Sequence, residues 1–180
     1  MYRSLIAAIA AAIVACATVQ PSPQAPAALL ALPPSAYGKT VSLAQQIQIE
    51  AAGETHELQV YLQIDRESVN LAAMVAGQTA AKLTWDGHTL HEDRSAWLPQ
   101  GLRGEVILSD LQLALWPAQV VASALPTSFQ LVATPQKREL LRNNQPFMTV
   151  EYLDSAHLEI VHHEYNYRLS ISSIDLDEAR

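Results

Sequence analysis

The chain has the length of one globular domain with short extensions and an acidic balance of charge. It has 180 residues, of which 49% are hydrophobic, and a net charge of -7, so a sizeable core can form while nucleic acid, whose phosphates would repel it, is excluded as a partner. Its single cysteine excludes a disulfide within the chain, so the fold must depend on that core alone.

The first 15 residues have the pattern of a secretory signal peptide. Arg3 supplies a positive charge, and residues 5–15 form an apolar stretch shorter than the about 20 residues that cross a bilayer. The order Ile13-Val14-Ala15-Cys16 resembles the lipobox of bacterial lipoproteins, in which the cysteine receives a diacylglycerol and becomes the mature N-terminus. This resemblance implies a covalent lipid on Cys16, and no other cofactor is expected. The alternative is an ordinary signal peptide followed by a cysteine by chance.

The residues after Cys16 predict where the lipid anchor is sorted and how the domain is attached to it. In lipoproteins of this kind, an aspartate directly after the cysteine usually retains the protein in the inner membrane, and the residue here is Ala17. The expected location is therefore the outer membrane, facing the periplasm. Residues 16–36 are rich in Pro, Ala and Gln, which favours an extended tether. The folded domain is then expected over residues 37–180.

Alternating apolar and polar residues predict strands in the first half of the domain. The alternation is clearest over residues 58–64, and similar runs cover residues 43–49, 69–75 and a segment that ends at Trp85. Gly53 marks a turn between the first two runs. Asp86-Gly87 gives the signal for a two-residue hairpin into a further strand at residues 88–91.

The pattern changes to helical spacing in the middle of the chain and then returns to strands. Apolar residues recur every three or four positions over residues 104–115, and Asp110 and Gln112 are expected to face water. Pro117 ends this helix, and a second short helical stretch stops at Pro126. Strands are predicted at residues 129–133, 138–142, 147–153, 157–163 and 165–174, with a turn at 143–144. The predicted fold class is α+β, mainly β.

Three segments carry a resemblance to a known family. They are residues 83–99 with Leu83-Thr84-Trp85-Asp86-Gly87 at their start, residues 107–117 with the stretch Asp110-Leu111-Gln112-Leu113-Ala114-Leu115-Trp116-Pro117 as their most specific part, and the closing Tyr167-Arg168-Leu169-Ser170-Ile171. Together they resemble the DUF3261 family of bacterial lipoproteins, which in turn looks like the outer-membrane receptor LolB and its periplasmic carrier relative LolA. The resemblance implies an unclosed antiparallel β-barrel, covered by a short helical insert, whose concave apolar face holds acyl chains.

The resemblance also implies a function. The protein would bind acyl chains of lipoproteins or lipids at the outer membrane, with a LolA-like carrier as a partner. Members of the family are often encoded beside enzymes of aryl polyene synthesis, so a polyene lipid is an alternative cargo. The candidate cavity residues are large apolar side chains of the predicted sheet and insert: Leu62, Leu71, Trp85, Leu111, Leu115, Trp116 and Phe129. The alternative is that they fill a solid core, as in a non-catalytic structural or interaction lipoprotein of an envelope assembly.

The sequence does not favour an enzyme. It contains no G-x-S-x-G elbow, no H-E-x-x-H pair and no glycine-rich phosphate loop. His162 and His163 are adjacent on a predicted strand and must point to opposite faces, so they cannot readily share a metal ion. The group formed by His88, His91 and residues 92–93 is typical of a solvated strand edge.

Overall fold

A computed structural model describes residues 28–96 and 103–178, and it contains ten strands and two α-helices in those ranges. The helices are α1 (Gly104–Leu115) and α2 (Ala118–Ala124), and a 3-10 helix covers Pro34–Tyr37. The strands are β1 (Val41–Ala51), β2 (Glu54–Ile64), β3 (Val69–Val75), β4 (Gln78–Trp85), β5 (Leu90–Arg94), β6 (Phe129–Ala133), β7 (Lys137–Arg142), β8 (Gln145–Tyr152), β9 (His157–His162) and β10 (Tyr167–Asp175). The mainly-β class is confirmed.

All ten strands form one antiparallel sheet with two free edges. Its order is β5-β4-β3-β2-β1-β10-β9-β8-β7-β6. Each half is a meander of sequential strands, and the halves are joined where β1 pairs with β10, with Ile47 opposite Ile171. β5 and β6 are the two edge strands, so the sheet is not closed. This confirms the expected unclosed antiparallel sheet with a short helical insert.

Three tight hairpins fix the register of the sheet. Residues 52–53, 76–77 and 143–144 each place two successive residues at positive φ, with values of 53° and 81° at Ala52 and Gly53. Two positive φ values in a row define a type I′ turn, whose twist matches that of the flanking strands. The turns predicted at Gly53 and at residues 143–144 are confirmed.

The hairpin predicted at Asp86-Gly87 is present but has a longer loop. Trp85 pairs with Leu90, so four residues rather than two connect β4 to β5. The Asp86 carboxylate accepts hydrogen bonds from the backbone N–H groups of His88 and Thr89, at 2.8 and 2.6 Å. This side-chain turn takes the place of the two-residue backbone turn.

The prediction that Asp110 and Gln112 face water is wrong. Gln112 is fully buried, and the carboxylate of Asp110 accepts a hydrogen bond from Tyr167 of the sheet. α1 has packing partners on two sides, because residues 29–33 lie against the helix face that carries Ser109 and Gln112. Helical spacing identifies one apolar face, and it does not show that polar side chains elsewhere on the helix have buried partners.

Candidate functional site

The helical insert crosses the open side of the sheet. α1 and α2 lie between β5 and β6 in the chain, and these strands are opposite edges of the sheet, so the insert must run from one edge to the other. Leu108 and Leu113 of α1 belong to the same buried cluster as the apolar side chains of the strands. The apolar face of the sheet that the insert covers, here called the inner face, is the candidate site.

Rows of apolar side chains run across the inner face. In one half of the sheet, Val69 lies opposite both Ile64 and Trp85, and all three are buried. A neighbouring row joins Leu62, Leu71 and Leu83. Cross-strand neighbours on one face pack against each other, so the rows form a continuous apolar surface. The other half of the sheet supplies the buried side chains of Leu140, Met148, Val150 and Ile160.

Both ends of α1 are attached to the sheet by polar side chains. The backbone N–H of Gly104, at the start of α1, donates to the carboxylate of Glu92 on β5 at 3.1 Å. At the other end, the Arg138 guanidinium donates to the carbonyl of Leu113 and the Tyr152 hydroxyl to that of Ala114, each at 2.6 Å. These helix-end groups have no partner within the helix, and a negative group at the start and a positive one at the end complement its dipole.

Two buried titratable groups lie where α1 meets the second half of the sheet. The Tyr167 hydroxyl donates to Asp110 Oδ2 at 2.6 Å, and burial raises the pKa of Asp110 to about 6. The His162 ring is 4.2 Å from the Tyr165 ring and 4.6 Å from the Phe147 ring, between centroids. Burial, with the nearby positive charges of His163 and Arg142, lowers the pKa of His162 to about 4. Holding Asp110 or His162 in its charged form in the folded state therefore lowers the free energy of unfolding.

The segment of residues 29–33, which we call the strap, is docked on α1 by side-chain hydrogen bonds. The N–H groups of Leu29 and Leu30 donate to Ser109 Oγ at 3.0 and 3.2 Å. Gln112 pairs with Leu32 twice, because its Oε1 accepts from the Leu32 N–H and its Nε2 donates to the Leu32 carbonyl, both at 2.8 Å.

Both tryptophans of the predicted cavity also bind the strap. Trp85 Nε1 donates to the carbonyl of Leu32 at 2.8 Å, and Trp116 Nε1 to that of Pro33 at 3.4 Å. The strap side chains Leu30 and Leu32 are buried in the core cluster. Residues 28–36, which the composition assigns to the tether, therefore pack against the folded domain, whereas residues 16–27 lie outside the described residues.

The structure brings the predicted cavity residues into one apolar cluster. Leu62, Trp85 and Trp116 are buried in it, and Leu71, Leu111, Leu115 and Phe129 are partly buried against it. Phe129 lies toward β8, where its ring meets that of Phe147 at 5.1 Å. Cys16 and Ala17, the predicted lipidation and sorting residues, lie outside the described residues.

Sequence reasoning missed four residues that hold the strap or belong to it. Ser109 and Gln112 are uncharged polar residues among the apolar side chains of α1, and that position is the signal that marks them. Leu30 and Leu32 form a short apolar run, Leu29-Leu30-Ala31-Leu32, between prolines. That run is the one feature of the proline-rich stretch that indicates burial.

Two open cavities lie within the described part of the chain. One of about 550 Å³ runs along β1 to β4 and is lined by Tyr61, Lys82 and Leu176 and also by Leu62, Leu71 and Leu83. The other, of about 430 Å³, lies where the β1–β2 turn approaches β9 and β10. The strap side chains Leu30 and Leu32 belong to the buried cluster that α1 shares with the sheet.

No group of three or more His, Cys, Asp or Glu side chains that could hold a metal ion occurs within residues 28–96 and 103–178. In the predicted group on β5, Glu92 turns inward to α1, which separates it from its neighbours His91 and Asp93. Over the same residues, no helix is long and apolar enough to cross a membrane.

The protein thus belongs to the class of proteins with an unclosed antiparallel sheet whose inner face is covered by a helical insert, here one that runs from one edge strand to the other. A family model described as "Protein of unknown function (DUF3261)" matches residues 42–175, and the chain belongs to that family. This confirms the family identified from the sequence. No curated protein matches the chain. The strap lies ahead of the matched residues.

Proposed function

We propose that this protein is an outer-membrane lipoprotein that binds acyl chains between the helical insert and the inner face of the sheet. Its role would be the transfer or localisation of lipoproteins or lipids at the periplasmic face, with aryl polyene lipids among the candidate cargoes. A LolA-like carrier would be the donor, and no catalysis is involved. The observation that carries the proposal is the insert that spans an unclosed sheet from edge to edge.

The arrangement allows the cover to move without breaking the sheet. The two halves of the sheet are joined by β1 and β10, which lie far from the insert in strand order. Displacing α1 and α2 would break none of the strand pairs. It would expose an apolar face that is covered in this structure, and an acyl chain could replace that cover with a similar gain from burial of apolar surface.

The polar contacts at the ends of α1 are compatible with such a movement. The carbonyls that bind Arg138 and Tyr152 can be hydrated when the helix moves, so opening exchanges protein hydrogen bonds for bonds with water. The net contribution of such a bond to stability is about 0.5–1.5 kcal/mol, and somewhat more where a charged group takes part. The cover is therefore held by contacts that a bound ligand can compensate.

A second candidate is a non-catalytic structural or interaction lipoprotein of an envelope assembly. The filled space beneath α1 favours it, because Leu30 and Leu32 of the strap occupy the volume in which a carrier would hold its ligand. In this case the strap and the insert are permanent parts of the core.

Titration with a fluorescent fatty acid separates the two candidates. A soluble chain that begins at residue 17 retains every contact described here, since these all lie within residues 28–178. The carrier function predicts saturable binding of one probe per chain and its displacement by a non-fluorescent lysophospholipid. The structural function predicts no saturable binding below the concentration at which the probe forms micelles.

The lipid anchor can be tested separately. If Cys16 is the lipidated residue, the substitution Cys16→Ser leaves no thiol to receive the diacylglycerol, so the precursor should remain uncleaved by the lipoprotein signal peptidase. Radiolabelled palmitate should label the wild type and not the variant. Equal labelling of the two proteins would contradict the assignment of Cys16.

Sorting to the outer membrane depends on a different residue. The substitution Ala17→Asp should move the protein from outer-membrane to inner-membrane fractions, because aspartate at this position usually retains such lipoproteins in the inner membrane. Ala17→Ser serves as the control and should fractionate as the wild type does. If Ala17→Asp leaves the fractionation unchanged, Ala17 is not the sorting signal.

A further inference from the structure

The strap is bound to the domain in the way a ligand is bound. Residues 29–32 belong to no helix or strand, and the backbone hydrogen bonds given above for Leu29, Leu30 and Leu32 all go to side chains. Leu30 and Leu32 place their side chains in the core at the same time. The strap therefore combines a row of main-chain polar groups with alkyl groups and occupies an apolar space.

The side chains that hold the strap form a built polar site inside the apolar cluster. Gln112 and Trp116 are fully buried, and Ser109 and Trp85 are more than nine-tenths buried. Each has its hydrogen-bonding atom directed at the strap. A buried polar group left without a partner is destabilising. A ligand that displaces the strap must therefore bring polar groups of its own to these side chains.

We infer that the strap occupies the acyl-chain site as an internal stand-in, and that the displacing ligand is an acyl chain attached through an amide to an amino acid. The inference rests on the proposed function. An N-acylated amino acid supplies its amide N–H to Gln112 Oε1 and, across one carbon atom, its own carbonyl to Gln112 Nε2 and Trp85 Nε1, as Leu32 does in this structure. The matching O-acylated hydroxy acid supplies the carbonyl and has no N–H, so Gln112 Oε1 would lose its partner.

A matched pair of neutral lipids tests this chemistry. N-lauroylglycine methyl ester and methyl (lauroyloxy)acetate have the same chain and the same terminal ester and differ in an amide N–H against an ester oxygen. The soluble chain from residue 17 should bind the amide about tenfold more tightly, as expected for one buried hydrogen bond of about 1.4 kcal/mol. Equal affinity for the two would overturn the assignment of the amide class.

Hydrogen exchange shows whether the strap leaves. The amides of Leu30 and Leu32 should be protected in the free protein and should exchange rapidly once N-lauroylglycine methyl ester saturates it, while the amides of β1 and β10 stay protected. If the ligand binds and the strap amides stay protected, the strap inference is wrong and the proposed function stands. If neither lipid binds to any variant, the proposed function itself fails.

Weakening the strap should increase affinity. Leu30→Ala removes alkyl groups from the core, so displacement of the strap costs less and the amide lipid should bind several-fold more tightly. Ile174→Ala, at an exposed position on β10, is the matched control, since it also shortens an alkyl side chain but leaves the strap and the inner face intact. A gain in affinity for Leu30→Ala alone is the expected result. The same response from both variants would contradict the inference.

Discussion

Replacing Leu108 with glutamate is expected to detach the helical insert and leave the sheet folded. Leu108 is a buried side chain on α1, so the substitution places a carboxylate in apolar surroundings without a partner. An unpaired buried charge of this kind costs about 3–5 kcal/mol. α1 can escape the cost by moving into water, because none of the strand pairs depends on it. Circular dichroism should retain the β signal, and an apolar dye should bind the exposed inner face.

Two further variants control this experiment. Leu140→Glu puts the same charge at a buried position in β7, where the side chain cannot reach water without breaking the sheet, so the whole domain should unfold. Leu115→Glu, at a partly buried position on α1, should have a much smaller effect. Complete loss of the β signal in Leu108→Glu would show that the insert is a permanent part of the core.

The second large effect is expected from Asp110→Asn. At pH 7 the Asp110 carboxyl is charged in both the folded and the unfolded state. Burial raises its pKa from the ordinary 3.8 to about 6 in the folded state, so holding the charge there lowers the free energy of unfolding. Asparagine keeps an oxygen for the Tyr167 hydroxyl and carries no charge. The substitution should therefore raise the free energy of unfolding at pH 7 by about 3 kcal/mol, since the pKa rises from 3.8 to about 6 on folding and one pKa unit corresponds to about 1.4 kcal/mol.

The gain should depend on pH in a defined direction. Between about pH 4 and 6 the folded state holds the Asp110 proton more tightly than the unfolded state, so this group's contribution to stability falls as pH rises. The advantage of Asp110→Asn over the wild type should therefore be small at pH 4, close to the ordinary pKa of 3.8, and reach its full size above pH 6. Urea unfolding at pH 4.5 and 7.5 measures it. The same difference at both pH values would contradict the assigned pKa.

Folding lowers the pKa of His162, whereas it raises that of Asp110, and the two shifts cover nearly the same pH range. The pKa of His162 falls from 6.5 to about 4 on folding, so its contribution to stability is lost as pH drops below 6.5. The two groups partly compensate in the wild type. In Asp110→Asn, stability should rise more steeply with pH. Asp154→Asn is the control: hydrogen bonds from Ala156 and His157 lower the pKa of Asp154, so the sign is reversed and the variant should lose stability at pH 7.

The sequence predicts the sheet well because its signals are local. Type I′ turns need residues that tolerate positive φ, and Gly53 and Asn143-Asn144 mark two of them directly. α1 was predicted with the bounds that the structure gives, since helical spacing and Pro117 define it. The loop at Asp86 was predicted too short because a side-chain turn and a backbone turn share the Asp-Gly signal.

The candidate site is harder to predict because its decisive contacts join distant parts of the chain. Apolar patterning identifies Trp85 and Trp116 as large core-forming side chains, and both belong to the inner cluster. Composition cannot reveal that their indole N–H groups bind residues 32 and 33, more than 50 positions earlier in the sequence. The same limit applies to Gln112, whose partner Leu32 lies in a proline-rich stretch that reads as a tether.

Photo-crosslinking locates the acyl chain and so tests the central claim most directly. A fatty acid with a diazirine near the end of its chain, bound to the soluble chain from residue 17 and irradiated, should label Trp85 of the inner face or Leu111 and Leu115 of α1. An excess of lysophospholipid should prevent the labelling. Labelling confined to Tyr61 and Leu176 in the cavity along β1 to β4, or no labelling that the competitor removes, would contradict acyl-chain binding beneath the insert.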